Sequence, residues 1–359
     1  MDLDNLEEIK KLDKSNVRVS VGGFVEQLQQ TWEEIEKLNT PQGYENIKNI
    51  LVVAMGGSTY GARVIKEFYF DSLNVPFEVT SDYRVPNYIN KDSLVIASSY
   101  SGNTEETVTS LELAHKRGAK ILGLTCQKGS NLDNFCRLNN IPCFLLDPRF
   151  NPTGQPRTGS GYMILGTIGW LAKLGLVTLS KTQIQNMMSL LKKNLESLKV
   201  ETTAENNPAK KLALECFNKN IVLVGAEFLS GILYPIRNPI HETGKNFATF
   251  FPIPDLNHHL LEGLANPASN KESFLYVFFE SEFYSDPIKK RIELTKDIIK
   301  KNNLAVREIQ LQAKDKFEQV FEGIQLGHFT SFYLALLNGA DPSTIPWVTY
   351  FQETFRRKG

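Results

Sequence analysis

Short apolar runs alternate with amphipathic stretches of helix length twice along this chain, and that alternation constrains its fold more than any other feature. Ile50–Ala54 (ILVVA), Phe77–Thr80, Leu94–Ala97 (LVIA), Lys120–Thr125 and Cys143–Leu146 read as buried strands, with helices through Val64–Phe70 and Thr104–Arg117 between them. Strands apolar on both faces and joined by helices make a parallel sheet covered on both sides. A helical middle follows (Gly159–Leu174 and Lys181–Lys199), then a polar break at Glu201–Pro208. The alternation then resumes with strands Ile221–Gly225, Phe274–Phe279 and Ala305–Leu311 around helices Leu229–Ile240 and Pro287–Lys300. Two helices close the chain, around Phe317–Leu337 and from Thr344 onward. Residues 1–45 read as helical, with Phe24, Leu28, Trp32, Ile35 and Leu38 on one face.

At 359 residues the chain is too long for one core. The expected fold is α/β, two doubly wound domains with parallel sheets flanked by helices, plus N-terminal and C-terminal helices. The expected division is 1–45 helical, 46–200 first domain with its anion-binding loops, 201–340 second domain, and 341–359 C-terminal helix. No residue-level repeat accompanies the repeated architecture.

The 40 basic and 40 acidic side chains leave no formal net charge, so no bulk attraction to nucleic acid or an anionic membrane is expected. The basic tail Arg356-Arg357-Lys358 reads as a solvated helix end that complements the helix dipole. Cys126, Cys136, Cys143 and Cys216 form no CxxC pair and have no metal spacing with the histidines, so buried free thiols are expected. The N-terminal MDLDNLEEIKKLDK is acidic with no apolar export core, and no apolar run reaches membrane-spanning length. A cytoplasmic protein is expected.

The most informative local segment is Ser98-Ser99-Tyr100-Ser101-Gly102-Asn103-Thr104-Glu105-Glu106, between a strand and a helix. A strand end, hydroxyl residues, a glycine and a helix N-terminus together form an anion site, because free N–H groups and the positive dipole end face the ligand. Capping alone would need a single hydroxyl, whereas Ser98, Ser99, Ser101 and Thr104 all carry one. A second turn, Met55-Gly56-Gly57-Ser58-Thr59, lies at another strand end; it has neither the dinucleotide fingerprint nor the P-loop lysine. Both turns belong at the carboxyl ends of parallel strands, where open α/β sheets bind ligands.

The succession MGGS, Ser81–Pro86 (SDYRVP) and Ser99–Thr107 (SYSGNTEET) resembles the sugar isomerase (SIS) domain. Gln155-Pro156-Arg157 before a helix, the segment His241–Gly263 and the Asp341-Pro342 ending extend the likeness, from about residue 20 onward, to the bifunctional phosphoglucose/phosphomannose isomerases. The resemblance implies two SIS domains and a sugar phosphate held by Gly57, Ser58, Ser99, Ser101 and Thr104. It further implies Glu242 as catalytic base, Arg157 as charge stabiliser, and His258 as ring-opening group reaching across a homodimer interface. The implied substrates are glucose 6-phosphate, mannose 6-phosphate and fructose 6-phosphate, and the enediol route calls for no metal or cofactor.

Two positions depart from the family pattern. Thr243 stands where an asparagine usually follows the glutamate, and Gln352 where the last helix usually carries a catalytic lysine. A glutamine can hydrogen-bond a sugar hydroxyl but supplies no charge. Spacing puts Gln352 on one helix face with Val348 and Phe355, which predicts that it faces the interior. His258 and His259 both qualify as ring-opening acids, and the family register selects His258. His115 and His328 read as a surface and a packing residue, and His241 as a neighbour able to tune Glu242. The apolar stretch Phe247–Pro252 is expected to help keep Glu242 dry. A non-catalytic sugar-phosphate sensor, or an isomerase of another sugar phosphate, stays open beside the isomerase reading.

Overall fold

The computed structural model describes residues 1–358, and the side chains of Arg356 and Lys358 lie outside the described residues, as does the reading of the basic tail that rests on them. The first sheet contains β1 (Asn49–Ala54), β2 (Phe77–Thr80), β3 (Ser93–Ser98), β4 (Lys120–Thr125) and β5 (Cys143–Leu145), all parallel in the order β2-β1-β3-β4-β5. Every residue of β3 is buried, as a strand covered on both faces requires. In β1 alternate residues divide between two cores: Ile50, Val52 and Ala54 join one, Leu51 and Val53 the other. Helices Glu105–Lys116 and Asn131–Leu138 cover the second of these, through Leu111, Ala114, Leu132 and Cys136.

The second sheet contains β6 (Asn220–Ala226), β7 (Ala248–Ile253), β8 (Phe274–Glu280) and β9 (Ala305–Gln310), parallel in the order β7-β6-β8-β9. Its four strands follow one another in space as the first four of the other sheet do. The alternation in the sequence did not reveal β7. Its Pro252 argues against a central strand, and β7 is an edge strand, where a missing donor is tolerated. Phe247–Pro252 therefore runs off as an edge strand rather than simply lining Glu242.

One continuous core joins the two halves. Helix Tyr60–Phe68 packs against Ser230–Glu242, and Ser230–Glu242 against Lys316–Leu337. At the N-terminus, Phe24, Leu28 and Ile35 are buried as their spacing predicts, on a helix Phe24–Lys37 that packs on Ser160–Lys173. Three of the four free cysteines are buried, and Cys143 is half-buried. His328 is a packing residue: its ring meets Phe24 edge-on at 5.6 Å, and burial lowers its pKa to about 4. No described helix is long and apolar enough to cross a membrane.

The loop after β3 depends on Gly102. Its φ of +63° is left-handed, and a Cβ there would lie 2.0 Å from Ser130 Oγ and 2.8 Å from Thr125 Oγ1. Gly102→Ala is expected to cost about 2–4 kcal/mol, combining the left-handed backbone with overpacking. Urea denaturation at neutral pH measures it; a loss under about 1 kcal/mol would show that the loop shifts freely to make room.

Candidate active site

Chain connections leave β1 and β3 in opposite directions, toward β2 and β4, so a crevice opens between their carboxyl ends. The Gly56–Thr59 turn follows β1 and the Ser99–Thr104 loop follows β3. Hydroxyls lace the two together: Tyr100 N–H donates to Ser58 Oγ at 2.9 Å, and Ser98 Oγ donates to the Ser58 carbonyl at 3.0 Å. Ser99 Oγ and Thr104 Oγ1 lie 2.9 Å apart, a bond that consumes one of their two protons and leaves the other for a ligand. Thr104 stands at the N-cap of helix Glu105–Lys116 without capping it through its side chain, so the first-turn N–H groups keep their donors for an anion. Ser58 and Ser99 are buried, whereas Ser101 is exposed and accepts from Asn103 N–H at 3.3 Å.

A third loop, before helix Ser160–Lys173, brings Arg157 against this crevice. Asn151 Nδ2 donates to the Tyr100 hydroxyl (2.6 Å) and the Gln155 carbonyl (2.9 Å), which ties that loop to the β3 loop. A Cβ on Gly57 would stand 3.1 Å from the Pro156 carbonyl and 3.3 Å from Arg157 N, so any side chain there would push the two loops apart by a few tenths of an ångström.

Arg157 is 3% exposed, and its donors are almost fully assigned. Nε donates to Thr243 Oγ1 at 3.1 Å; Nη2 donates to the carbonyls of Ser343 (2.7 Å) and Pro342 (3.3 Å). Nη1 faces Glu242 Oε2 at 3.6 Å and is the corner left to meet a ligand. Glu242 ends helix Ser230–Glu242, after which Lys245 adopts a left-handed φ of 54° and reverses the chain. The reversal returns the Lys245 ammonium to the Glu242 carbonyl and to the Thr344 carbonyl. Burial raises the pKa of Glu242, against the opposing pull of Arg157 and Lys245. Burial, followed by repulsion from Arg157, lowers that of Lys245 to about 8.

The structure therefore gathers Gly57, Ser58, Ser99, Ser101, Thr104, Arg157 and Glu242 around one crevice. It does not bring His258 there within one chain. Helix Ser230–Glu242 runs from the carboxyl end of β6 to the amino end of β7, and the short 3₁₀ turn Asp255–His258 follows the carboxyl end of β7. Glu242 and His258 thus lie at opposite edges of the second sheet, separated by the length of β7, roughly 20 Å. His258 is exposed, and His241 turns to the backbone of Ala248 rather than to Glu242.

The expectation that Gln352 faces the interior is corrected. Gln352 is exposed on helix Pro346–Lys358, together with Val348 (42%) and Phe355 (52%). The apolar stripe is real, but Trp347, Tyr350 and Phe351 of the same helix are exposed too, so the stripe stays uncovered by the described residues.

The carboxyl edge of the second sheet is chemically different. Glu227 stands after β6 where Gly56 stands after β1, and both have left-handed φ, 45° and 51°. Its carboxylate accepts from Ser285 Oγ (2.5 Å) and Ser285 N–H (3.2 Å) at the start of helix Asp286–Lys301. Glu280, Glu282 and Glu293 line the neighbouring cleft with Lys289, and Lys296 pairs with Glu280 and Glu293, so this edge has acidic side chains where the first has hydroxyls.

Residues 44–141 match the SIS domain, and residues 205–355 match the bacterial phospho-glucose isomerase C-terminal SIS domain. A bifunctional phosphoglucose/phosphomannose isomerase of Caldicellulosiruptor bescii is 30% identical, covering 91% of this chain and 95% of its own. The chain belongs to the bifunctional phosphoglucose/phosphomannose isomerase family. A second member, from Aquifex aeolicus, is 29% identical over 94% of this chain and 97% of its own length. The fold is shared with a hypothetical protein of Thermus thermophilus, at TM-score 0.74 and 14% identity over 98% of this chain and 94% of that one.

For this isomerase-family chain, sequence reasoning marked Asp341-Pro342 but missed that the carbonyls of Pro342, Ser343 and Thr344 hold Arg157 and Lys245, and it missed the tie from Asn151 to Tyr100. Backbone acceptors carry no residue signature. Thr243 was visible as a departure, and its hydroxyl proves to be the acceptor for Arg157 Nε. Thr243→Val should strand that buried donor and cost about 1–3 kcal/mol in urea denaturation, while Thr243→Ser stays near wild type. Equal stability of the valine and serine variants would show that the bond contributes nothing.

Proposed function

We propose that this chain is an aldose–ketose isomerase interconverting glucose 6-phosphate and mannose 6-phosphate with fructose 6-phosphate in the cytoplasm. The observation that carries this reading is the Arg157–Glu242 pair: a carboxylate made more basic by burial, 3.6 Å from a buried guanidinium, beside two hydroxyl-rich anion loops. The first half holds the phosphate, and helix Ser230–Glu242 of the second delivers the base.

The phosphate sits against Gly57, Ser58, Ser99, Ser101 and Thr104 and the first-turn N–H groups of helix Glu105–Lys116. Once the ring is open, Glu242 removes the C2 proton of the aldose as a carboxylate and returns it to C1, with a cis-enediolate between the two steps and the C2 hydroxyl proton passing to the C1 oxygen. Charge growing on the substrate oxygen is met by Arg157 Nη1, already desolvated and held in place by its other bonds. Lys245, with a pKa near 8, is a second cation beside the base, and Gln352 plays no necessary part in the proton transfer. The ring-opening His258 reaches the crevice of a second copy in a homodimer, since its own Glu242 lies at the far edge of the sheet.

The Ser99→Ala, Thr104→Ala double variant should weaken fructose 6-phosphate binding by about 1.5–3 kcal/mol in calorimetry, because the pair has one free neutral donor for a charged phosphate. Unchanged affinity in the double variant would put the phosphate elsewhere.

Glu242→Gln should lower turnover in a coupled fructose 6-phosphate assay by ~10²–10⁴-fold while substrate still binds. Mixed with His258→Ala under conditions of subunit exchange, it should recover roughly a quarter of wild-type activity, since half of the dimers then carry one intact site of two. Activity in the Glu242→Gln protein alone would remove the assigned base, and a mixture no better than its parts would remove the shared site.

A further inference from the structure

Tyr60 is the first residue of helix Tyr60–Phe68, directly after the Gly56–Thr59 turn that borders the crevice. It is fully buried, and its hydroxyl has no hydrogen-bond partner among the described residues. A phenol so placed has lost its water without gaining a protein acceptor, an arrangement that protein interiors rarely keep without a use for the donor.

The packing of the two helices gives the side toward which that donor leans, short of bonding distance to any acceptor among the described residues. A Cβ on Gly231 would lie 3.0 Å from the Arg63 carbonyl and 3.3 Å from Glu67 Cβ, whereas the Tyr234 ring lies 6.2 Å from that of Tyr60. Moving forward along Ser230–Glu242 therefore means moving back along Tyr60–Phe68, so the two helices run antiparallel. Helix side chains lean toward their own N-terminus. The phenol is thus carried past Tyr234 toward the end of the partner helix, where Glu242 and Arg157 meet.

We propose that Tyr60 is a positioning residue for the base: its O–H donates to the Glu242 carboxylate whenever that carboxylate is ionised. The bond fixes the orientation of the carboxylate when Arg157 Nη1 turns to the substrate oxygen, so that Glu242 is not left to follow the guanidinium. The proton stays on Tyr60 throughout. Burial holds the phenol well above its ordinary pKa, and the Glu242 charge pushes in the same direction. The other charged or titratable groups facing the pair are Arg157 and Lys245 beside Glu242, and Tyr234 and Arg237 beside Tyr60. Neither arginine titrates in the working range.

This inference rests on the isomerase reading only for its kinetic consequence, so the deciding measurement does not need turnover. Tyr60→Phe keeps the ring and removes the oxygen. Glu242 is followed by carboxyl infrared difference spectroscopy across pH in the free protein, with Glu242→Gln to assign its band. The Glu242 pKa should rise by about 0.5 or more in Tyr60→Phe, because the ionised form loses a donor. The thermal midpoint should fall where Glu242 is ionised and stay level where it is protonated, since only the ionised form loses the bond. In the active enzyme the acid limb of kcat/KM should move to higher pH with the carboxyl, and kcat should fall about tenfold with KM within about twofold. A Glu242 titration identical in Tyr60→Phe and wild type overturns the proposal. A wild type without isomerase activity would sink the isomerase reading instead, with the carboxyl titration still deciding the role of Tyr60.

Discussion

Burying a guanidinium is costly unless its donors find acceptors and its charge a counterion, and Arg157 shows how this chain lowers that cost. Nε and Nη2 donate to Thr243 in the second half and to the carbonyls of Pro342 and Ser343 near the C-terminus, and Nη1 forms an ion pair with the carboxylate of Glu242. Arg157 itself belongs to the loop before Ser160–Lys173, which Asn151 and Tyr100 fasten to the β3 loop. One cation therefore locks three distant stretches of sequence into one register. Charge-assisted bonds to oriented acceptors are the strong kind, and losing any of them leaves a charge without compensation. The same commitments leave a single corner, Nη1, facing the crevice. Position and electrostatics at the site both follow from where the other donors are spent.

The two sheets repeat a topology while their carboxyl edges diverge in chemistry. In the first, Gly56 and Gly57 let the turn after β1 come close to Arg157, and serine and threonine hydroxyls face an open helix N-terminus. In the second, Glu227 holds a left-handed conformation that costs a side-chain-bearing residue about 1–2 kcal/mol, and its carboxylate binds the N–H and hydroxyl of Ser285. The second sheet thus fills its anion position with a carboxylate of its own, which offsets the backbone strain through charge-assisted hydrogen bonds. Its remaining contribution to the site comes from the opposite edge, where a helix ends at Glu242. The same topology thus carries hydroxyl-rich loops in one half and a buried carboxylate at a helix end in the other.

What was legible in the sequence followed the physics that sequence records. Strands buried on both faces, helix periodicity and the hydroxyl-rich loop all depend on side chains, and β1, β3, β4, β6 and β8 lie where their apolar runs place them. The edge strand β7 was hidden because Pro252 contradicts a central strand and only the assembled sheet shows which strand is peripheral. Helices Asn131–Leu138 and Pro208–Cys216 are only about two turns long, and escaped for that reason. Gln352 was placed inward by a sound periodicity argument, but periodicity identifies an apolar face without saying what covers it. Thr243 looked like a lost asparagine and is instead a satisfied hydroxyl, a distinction that needed the position of Arg157.

The proposed pairing of Glu242 with His258 has a consequence that comes from strand direction alone. In a parallel sheet every crossover helix runs back to the amino edge, so a residue at the end of such a helix and one just past the next strand are always a strand length apart. No loop movement of ordinary size closes that gap while β7 stays paired to β6 across Ile221–Ala226. Two-fold symmetry resolves the conflict: if the β7 edge of one copy faces the crevice of another, the reverse contact forms at the same time, and both sites are completed by one isologous interface. Neither protomer then needs a distorted sheet to assemble its chemistry. The exposed position of His258 on a short turn suits a residue that serves a neighbouring crevice, since a side chain with no hydrogen bond among the described residues has none to break on assembly.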